Sequence, residues 1–242
     1  MTQLTSSLTA FRTTLLHQTS QALILGDSHV GKSAALNAQG VLVPQTGFKD
    51  LYKNTHSALE AINPNRIVLN GDVKHNFGKI TDDEWDKVFT YIDLLKQYAE
   101  VIVIRGNHDV LLDPLAEKSN VDIEDHFVLD NTYVCHGHEI HNSNEFKDAS
   151  TIVIGHEHPA IGLERSGRVE HYKAFQKTQY KDKELIVMPS MHTFSEGSDV
   201  LREKTLSPYL NRDQLNKAEA YIVGEEDEPL PFGNIVELKR AI

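Results

Sequence analysis

Cysteine is almost missing. A single residue, Cys135, stands in 242, so no disulfide can form within the chain, and a reducing compartment is expected. Long apolar runs are missing too: none approaches the roughly 18 residues that a membrane-spanning helix needs. The N-terminal stretch MTQLTSSLTAFRTTLLHQTS has one early arginine and lacks the apolar centre of a signal peptide. Cytoplasmic residence is therefore expected. Positive charge is scarce, with 24 Lys+Arg against 35 Asp+Glu and a formal net charge of −11. That balance argues against a general binder of duplex nucleic acid, whose affinity rests on phosphate contacts. It leaves room for a locally positive site made by bound cations. No Cys₂His₂ or Cys₄ spacing exists, which excludes a structural zinc site of those kinds. No internal repeat, low-complexity linker or composition break divides the chain, so one domain over residues 1–242 is expected.

What the chain does have is one pattern, repeated. Residues 101–104 (VIVI) read as a buried strand that stops at Arg105-Gly106 and is followed at once by Asn107, His108 and Asp109. In open α/β sheets the ligand crevice lies at the carboxyl ends of the strands. QALIL (21–25) ends in Gly26-Asp27-Ser28-His29, and RIVL (66–69) ends in Asn70-Gly71-Asp72. TYVC (132–135) ends in His136-Gly137-His138, and TIVI (151–154) ends in Gly155-His156-Glu157-His158-Pro159. A lone histidine is usually structural. Five strand tips in succession bearing Asp, His or Asn point to one shared site. Imidazole together with carboxylate suits Mn, Fe, Zn or Ni rather than Ca, which wants oxygen alone. His138-Glu139-Ile140-His141 is one residue short of the H-E-x-x-H spacing and is set aside.

The segments between the tips read as follows. Residues 1–20 suit an edge strand or hairpin, and a short helix is expected around Ala34–Leu36. Phe48, Leu51, Tyr52, Thr55 and Leu59 recur at helical spacing, and Asn63-Pro64-Asn65 ends that helix. The clearest helix spans Thr81–Ala99. Thr81 and Glu84 have capping-box spacing, and Trp85, Val88, Phe89, Ile92 and Leu95 share a face, with Trp85 read as core. Leu163–Tyr172 suits a hairpin turning at Ser166-Gly167. Glu184–Met188, Ala220–Val223 and Asn234–Leu238 read as strands, the last two separated by the acidic turn GEEDEPLPFG.

Gly26–Ser33 (GDSHVGKS) satisfies the nucleotide-binding pattern G-x4-G-K-[ST] literally. On that reading Lys32 would reach the phosphates. Against it, His29 replaces a glycine in a loop whose path depends on glycine freedom. The D-x-x-G and N-K-x-D companions are missing as well; Asn216-Lys217-Ala218-Glu219 lacks the final Asp.

The ordered set D-x-H (Asp27, His29), G-D (Gly71, Asp72), G-N-H-D (Gly106–Asp109), H-G-H (His136–His138) and G-H-x-H (Gly155–His158) resembles the calcineurin-like metallophosphoesterases. GDVKHNFG, VMPSMHTFSEG and LPFGNIVEL are further similar to the small archaeal and bacterial phosphoesterases related to the repair nuclease SbcD. The resemblance implies a four-layer α/β/β/α sandwich of two mixed sheets flanked by helices. It implies two divalent transition-metal ions, manganese foremost, with Fe, Zn or Ni as alternatives. One ion would take Asp27, His29, Asp72 and His158; the other would take Asp72, Asn107, His136 and His156, with Asp72 bridging. Two such ions, about 3.5–4 Å apart, hold a bridging hydroxide for in-line attack on phosphorus. His108 would then be the general acid, with Asp109 holding its ring. The alternative for His108-Asp109 is a pair that caps the loop.

The chain departs from the family's usual G-D-x-x-D-R, since Val73-Lys74-His75 follow Asp72. Lys74 and His75 either face the substrate phosphate or cap the loop. His138 is expected as a neighbour of the site, His192 could line the cleft, and Arg105 is read as structural. Cys135, in an apolar strand, is expected to be buried and inert. The implied partner is a phosphate ester: a phosphodiester such as a cyclic nucleotide or a nucleic-acid end. A phosphomonoesterase, or a non-catalytic scaffold such as the retromer subunit of this fold, is the alternative. Scaffold relatives lose the catalytic histidine, whereas His108 is present. No DNA-capping domain is evident, which leans towards small diesters.

Overall fold

Alternation along the apolar strands sets the layers. Leu23, Leu25, Ile67, Leu69, Val101 and Val103 pack on one side against helices, while Ile24, Val68 and Ile104 pack on the other side against a second sheet. A strand covered on both faces has no polar side to show, which is why these runs read as continuous rather than alternating. The computed structural model describes residues 1–241 apart from Lys79, Ser166, Glu196, Glu225 and Glu226.

The first sheet runs in chain order: β1 (Thr2–Gln3), β2 (Leu8–Phe11), β3 (Thr14–His17), β4 (Ala22–Leu25), β5 (Arg66–Asn70), β6 (Glu100–Ile104) and β7 (Asp122–Glu124). Its first four strands pair antiparallel and β4 to β7 pair parallel. The N-terminal hairpin is thus formed, and Leu8, Ala10 and Leu15 anchor it in the core between the sheets. Helices α1 (Lys32–Ala38), α2 (Gly47–Ile62), α3 (Asp82–Lys96) and α4 (Asp113–Ser119) accompany this sheet.

The second sheet contains β8 (His126–Leu129), β9 (Thr132–Cys135), β10 (Thr151–Ile154), β11 (Pro159–Arg165), β12 (Arg168–Tyr180), β13 (Lys183–Val187) and β14 (Ser198–Asp199). They lie in the order β14-β11-β12-β13-β10-β9-β8. Strand β15 (Glu219–Ile222) pairs with β12, and β16 (Leu230–Asn234) pairs with β15. On the outer face Phe146 of α5 (Asn144–Asp148) packs with Tyr133, Cys135, Ile152 and Ile154. Helices α6 (Arg212–Lys217) and α7 (Ile235–Ala241) complete the chain. Two mixed sheets with helices outside form the expected four-layer α/β sandwich. The β11–β12 hairpin is present, with Arg165 opposite Arg168; Ser166 of its turn lies outside the described residues, as do Glu225 and Glu226 of the acidic turn. No helix among the described residues is long and apolar enough to cross a membrane.

Two local expectations are corrected. Asn234–Leu238 is not a strand. The strand ends at Asn234, whose Oδ1 accepts from Val236 N at 2.9 Å, and α7 follows with Ile235 fully buried. An Asn side chain capping a free helical N–H favours that switch over another extended residue. The capping box of α3 is half formed. Thr81 Oγ1 accepts from Glu84 N at 3.2 Å, but the Glu84 carboxylate turns away and accepts from the backbone N–H groups of His75 and Asn76, both at 3.1 Å. Glu84 therefore ties α3 to the loop after β5.

Candidate metal centre

The parallel register brings the carboxyl ends of β4, β5 and β6 side by side, and those of β9 and β10 face them across the sandwich. Side chains at these ends are forced inward by unusual backbone geometry. His29, Asp72, His156 and His158 all have positive φ, between 42° and 61°. Non-glycine residues visit that region rarely, and such strain clusters at functional sites. Two glycines permit the close approach of neighbouring tips. A Cβ on Gly106 would lie 2.2 Å from Asp72 Oδ1, and one on Gly155 would lie 2.3 Å from Asp27 Oδ2.

Among the described residues, three groups hold one donor atom each within 4.8 Å of the others: Asp27/His29/His158, Asp72/His136/His156 and His29/His75/His108. Asp27 is fully buried, with Oδ1 3.0 Å from His158 Nε2 and 3.6 Å from His136 Nδ1. Asp72 lies between the groups, Oδ1 3.5 Å from His136 Nε2 and Oδ2 3.8 Å from His29 Nε2. Asn107 Oδ1 lies 3.0 Å from His136 Nε2. All seven residues expected as ligands thus converge.

Their supports were not anticipated. The His156 N–H donates to Asp27, Ser195 Oγ lies 3.4 Å from His158 Nδ1, and His136 Nδ1 lies 3.3 Å from the Asn70 carbonyl. Such outer contacts fix which ring nitrogen faces a cation. Buried Glu157 accepts from Leu206 N and Ser207 N, both at 2.8 Å, and holds the loop after β10. Its place between two site histidines was the only available signal.

The electrostatics fit a cation. Burial pushes His136 down to about 3 and His156 to about 4, and it holds His29 well below the usual histidine range. These rings are neutral at pH 7, with lone pairs available. Burial, with Asp27 and Asp109 nearby, pushes Asp72 up to about 9. For Asp27 burial also pushes upward, but His158, His136 and His29 outweigh it and hold the carboxyl well below the usual range. Two carboxylates among neutral imidazoles, one kept protonated for want of positive charge, form a donor set suited to divalent transition metals.

Sequence comparison agrees with this geometry. The family model described as calcineurin-like phosphoesterase matches residues 21–224. This chain belongs to the calcineurin-like phosphoesterase family. This calcineurin-like phosphoesterase, one of a metal-dependent family, is a hydrolase acting on phosphoric ester bonds. Curated protein sequences give no match. Among solved structures, nuclease MPE from Pseudomonas putida is similar at 18% identity and a TM-score of 0.64, covering 91% of this chain and 92% of that one. The phosphoesterase YfcE from E. coli aligns at 14% identity and a TM-score of 0.39, over 84% of this chain and 88% of its own. Wild-type Vps29 complexed with Zn²⁺ from Entamoeba histolytica aligns at 14% and 0.35, over 88% and 99%.

Several remaining expectations for this calcineurin-like phosphoesterase now have an outcome. Asp109 does not hold the His108 ring. Its carboxylate accepts from Gly106 N at 3.0 Å, Val73 N at 3.3 Å and Lys74 N at 3.4 Å, so it knits two strand tips together. The His108 ring is held instead by the His75 carbonyl, 2.5 Å from Nδ1. Of Lys74 and His75, the lysine caps the loop: its buried Nζ donates to the carbonyls of Asn76 and His108. The His75 ring enters the site, in a group with His29 and His108. Arg105 is structural, donating to the Asp109 carbonyl at 3.2 Å and lying 3.4 Å from Asp113. His138 stays beside His136, ring centroids 5.2 Å apart, and outside the three groups. His192 is buried, accepts from Phe194 N at 3.2 Å, and also stays outside them. Cys135 is buried, and that burial pushes its thiol up to about 12.

The nucleotide-loop pattern also resolves. His29 N donates to the Asp72 carbonyl at 2.8 Å and Val30 N to that of Val73 at 2.9 Å. The amides that would cradle phosphate are already used. Lys32 is half-buried, but with no phosphate to reach, Lys32→Ala should leave turnover and bound metal within about twofold of the parent. A crippled Lys32 variant, read in the same metal and rate assays, would restore the nucleotide reading.

Proposed function

We propose that this chain is a binuclear phosphodiesterase. One cation sits at Asp27, His29, Asp72 and His158, and the other at Asp72, Asn107, His136 and His156, with manganese the favoured metal. The observation that supports this most strongly is Asp72, whose two oxygens face different histidine groups. Bound there, a pair of divalent cations supplies charge neutralisation at the phosphate and activation of water at neutral pH. The chain's own residues do the rest. Asn107 and the histidines orient the site. His108 Nε2, 3.8 Å from Asp72 Oδ2, delivers a proton to the departing oxygen. Its Nδ1 is tied to the His75 carbonyl, so Nε2 is the atom that faces the reaction.

A phosphodiester is preferred to a monoester, and the whole of residues 1–242 acts as one domain. The second of these is supported by the inter-sheet core, where Leu8 and Leu15, outside the matched span, pack with Phe175 and Ile186. A reducing, cytoplasmic compartment suits the buried free thiol of Cys135.

The test is a substrate panel with added manganese: bis-p-nitrophenyl phosphate, p-nitrophenyl phosphate, 2′,3′-cyclic nucleotides and single-stranded DNA. Faster turnover of a diester is expected. A faster monoester would overturn the diester assignment, and a metal-loaded protein inert to all four would overturn the role of His108.

Metal uptake carries its own signature. Asp72, raised to about 9, keeps its proton at pH 7 in the metal-free protein. A cation must displace it, so affinity should rise as pH climbs from 7 towards 9. Calorimetric titration with manganese at pH 7, in buffers of different ionisation enthalpy, should show about one proton released per protein. Buffer-independent heats would refute the protonated Asp72.

A further inference from the structure

A proton donor fixes where the leaving group must lie, and here that place has an unexplained aromatic wall. The Phe77 ring stacks on His108 with centroids 3.6 Å apart and a tilt of 31°, yet Phe77 remains 55% exposed. Val110 and Leu111, close behind His108 in the chain, are exposed too, at 61% and 46%. An aromatic ring left this open against the proton donor of a polar cleft is suited to binding rather than to packing.

The loop bearing Phe77 is built to stay in place. Glu84, only 1% exposed, accepts from His75 N, Asn76 N and Asn76 Nδ2. Lys74 Nζ bridges the carbonyls of Asn76 and His108, binding this loop to the one that carries the donor. A buried carboxylate and a buried ammonium spent on one short turn hold Phe77 over His108 while its ring stays largely open to solvent. No catalytic step requires that ring, since the donor is oriented by a backbone carbonyl.

We infer that Phe77 is the platform for the leaving group, and that this group is a nucleoside whose base stacks on the exposed side of the Phe77 ring. The inference rests on the phosphodiesterase reading and adds to it the side of the phosphate on which the base lies. In the reaction, the oxygen of water bonds to phosphorus and the bond from phosphorus to the nucleoside oxygen breaks. His108 in its imidazolium form, with Nδ1–H on the His75 carbonyl, passes the Nε2 proton to that departing oxygen, and the proton shed by the attacking water goes to solvent, from which Nε2 is recharged. The products are a phosphomonoester and a free nucleoside hydroxyl. Base–aromatic stacking tolerates any of the four bases, because each offers a π-face, so little base preference is expected.

Two diesters with the same retained nucleotide separate the alternatives: a dinucleoside monophosphate, and the methyl ester of that nucleotide. The manganese-loaded parent should show the lower KM for the dinucleoside. In Phe77→Ala that KM should rise about tenfold or more, the scale of losing one stacked base, and the two diesters should converge. Phe77→Trp should restore the difference, and manganese content should stay that of the parent in both variants. If the parent cleaves both diesters and Phe77→Ala keeps their KM ratio, the platform is refuted and the phosphodiesterase reading stands. If the loaded parent cleaves neither, both fall.

Discussion

His108→Ala should keep its metal and lose turnover by about 10²- to 10⁴-fold, the usual contribution of a placed proton donor. The expectation comes from what the substitution leaves intact. His108 stays outside the two groups that contain a carboxylate. Its link to the centre through the main chain, N–H to Asp72 Oδ1 at 2.9 Å, survives in alanine. What disappears is the ring whose Nδ1 rests on the His75 carbonyl and whose Nε2 faces the cleft. A p-nitrophenolate needs no proton to depart, so bis-p-nitrophenyl phosphate should suffer less than an alkyl diester in this variant. Metal content by elemental analysis, read beside the rate, is the check. Loss of metal in step with activity would move His108 from proton donor to ligand and would make the His29/His75/His108 group the occupied one.

Asp72→Asn should cost more than His108→Ala, because it removes the carboxylate whose two oxygens face different histidine groups. On the proposed binuclear reading, manganese stoichiometry should fall from two to one or fewer, and turnover should drop beyond the range of about 10²- to 10⁴-fold set by the missing donor. The fold should survive. An amide oxygen can still accept from His108 N, and a neutral side chain spares the burial and repulsion that push the carboxyl up to about 9. Two ions retained at parental affinity in Asp72→Asn, measured by calorimetry, would end the bridging role.

The strand tips were legible because parallel strands covered on both faces are uniformly apolar and must stop where polar ligands begin. That single rule located Asp27, Asp72, Asn107, His136 and His156. It could not say what adjacent side chains do. His108 and Asp109 are neighbours in sequence, yet they point to different partners: one to a carbonyl, the other to three backbone amides. The Glu84 carboxylate was misread for a related reason. Capping-box spacing fits it equally well, but the loop after β5 offered the Asn76 N–H and side-chain amide, together with a share of the His75 N–H that also donates to the Val30 carbonyl. At Asn234–Leu238 a short β-branched run suits strand or helix alike, and the side-chain cap of Asn234 decided for helix. The His75 ring, which breaks the usual motif, could be placed only once the turn of its loop was known.

The left-handed backbone at His29, Asp72, His156 and His158 has a thermodynamic corollary. Each such residue is about 1–2 kcal/mol above its relaxed conformation, and folding of the surrounding sheets meets that penalty before any ion arrives. The cup is preorganised, so coordination energy is not diverted into bending loops. Stripped of cations, these four corners are places where the chain gains by relaxing, and amide hydrogen exchange there should be faster than in the strands they terminate. Loading the ions acts as a clasp, slowing exchange at sites up to 129 residues apart in the chain in one concerted step.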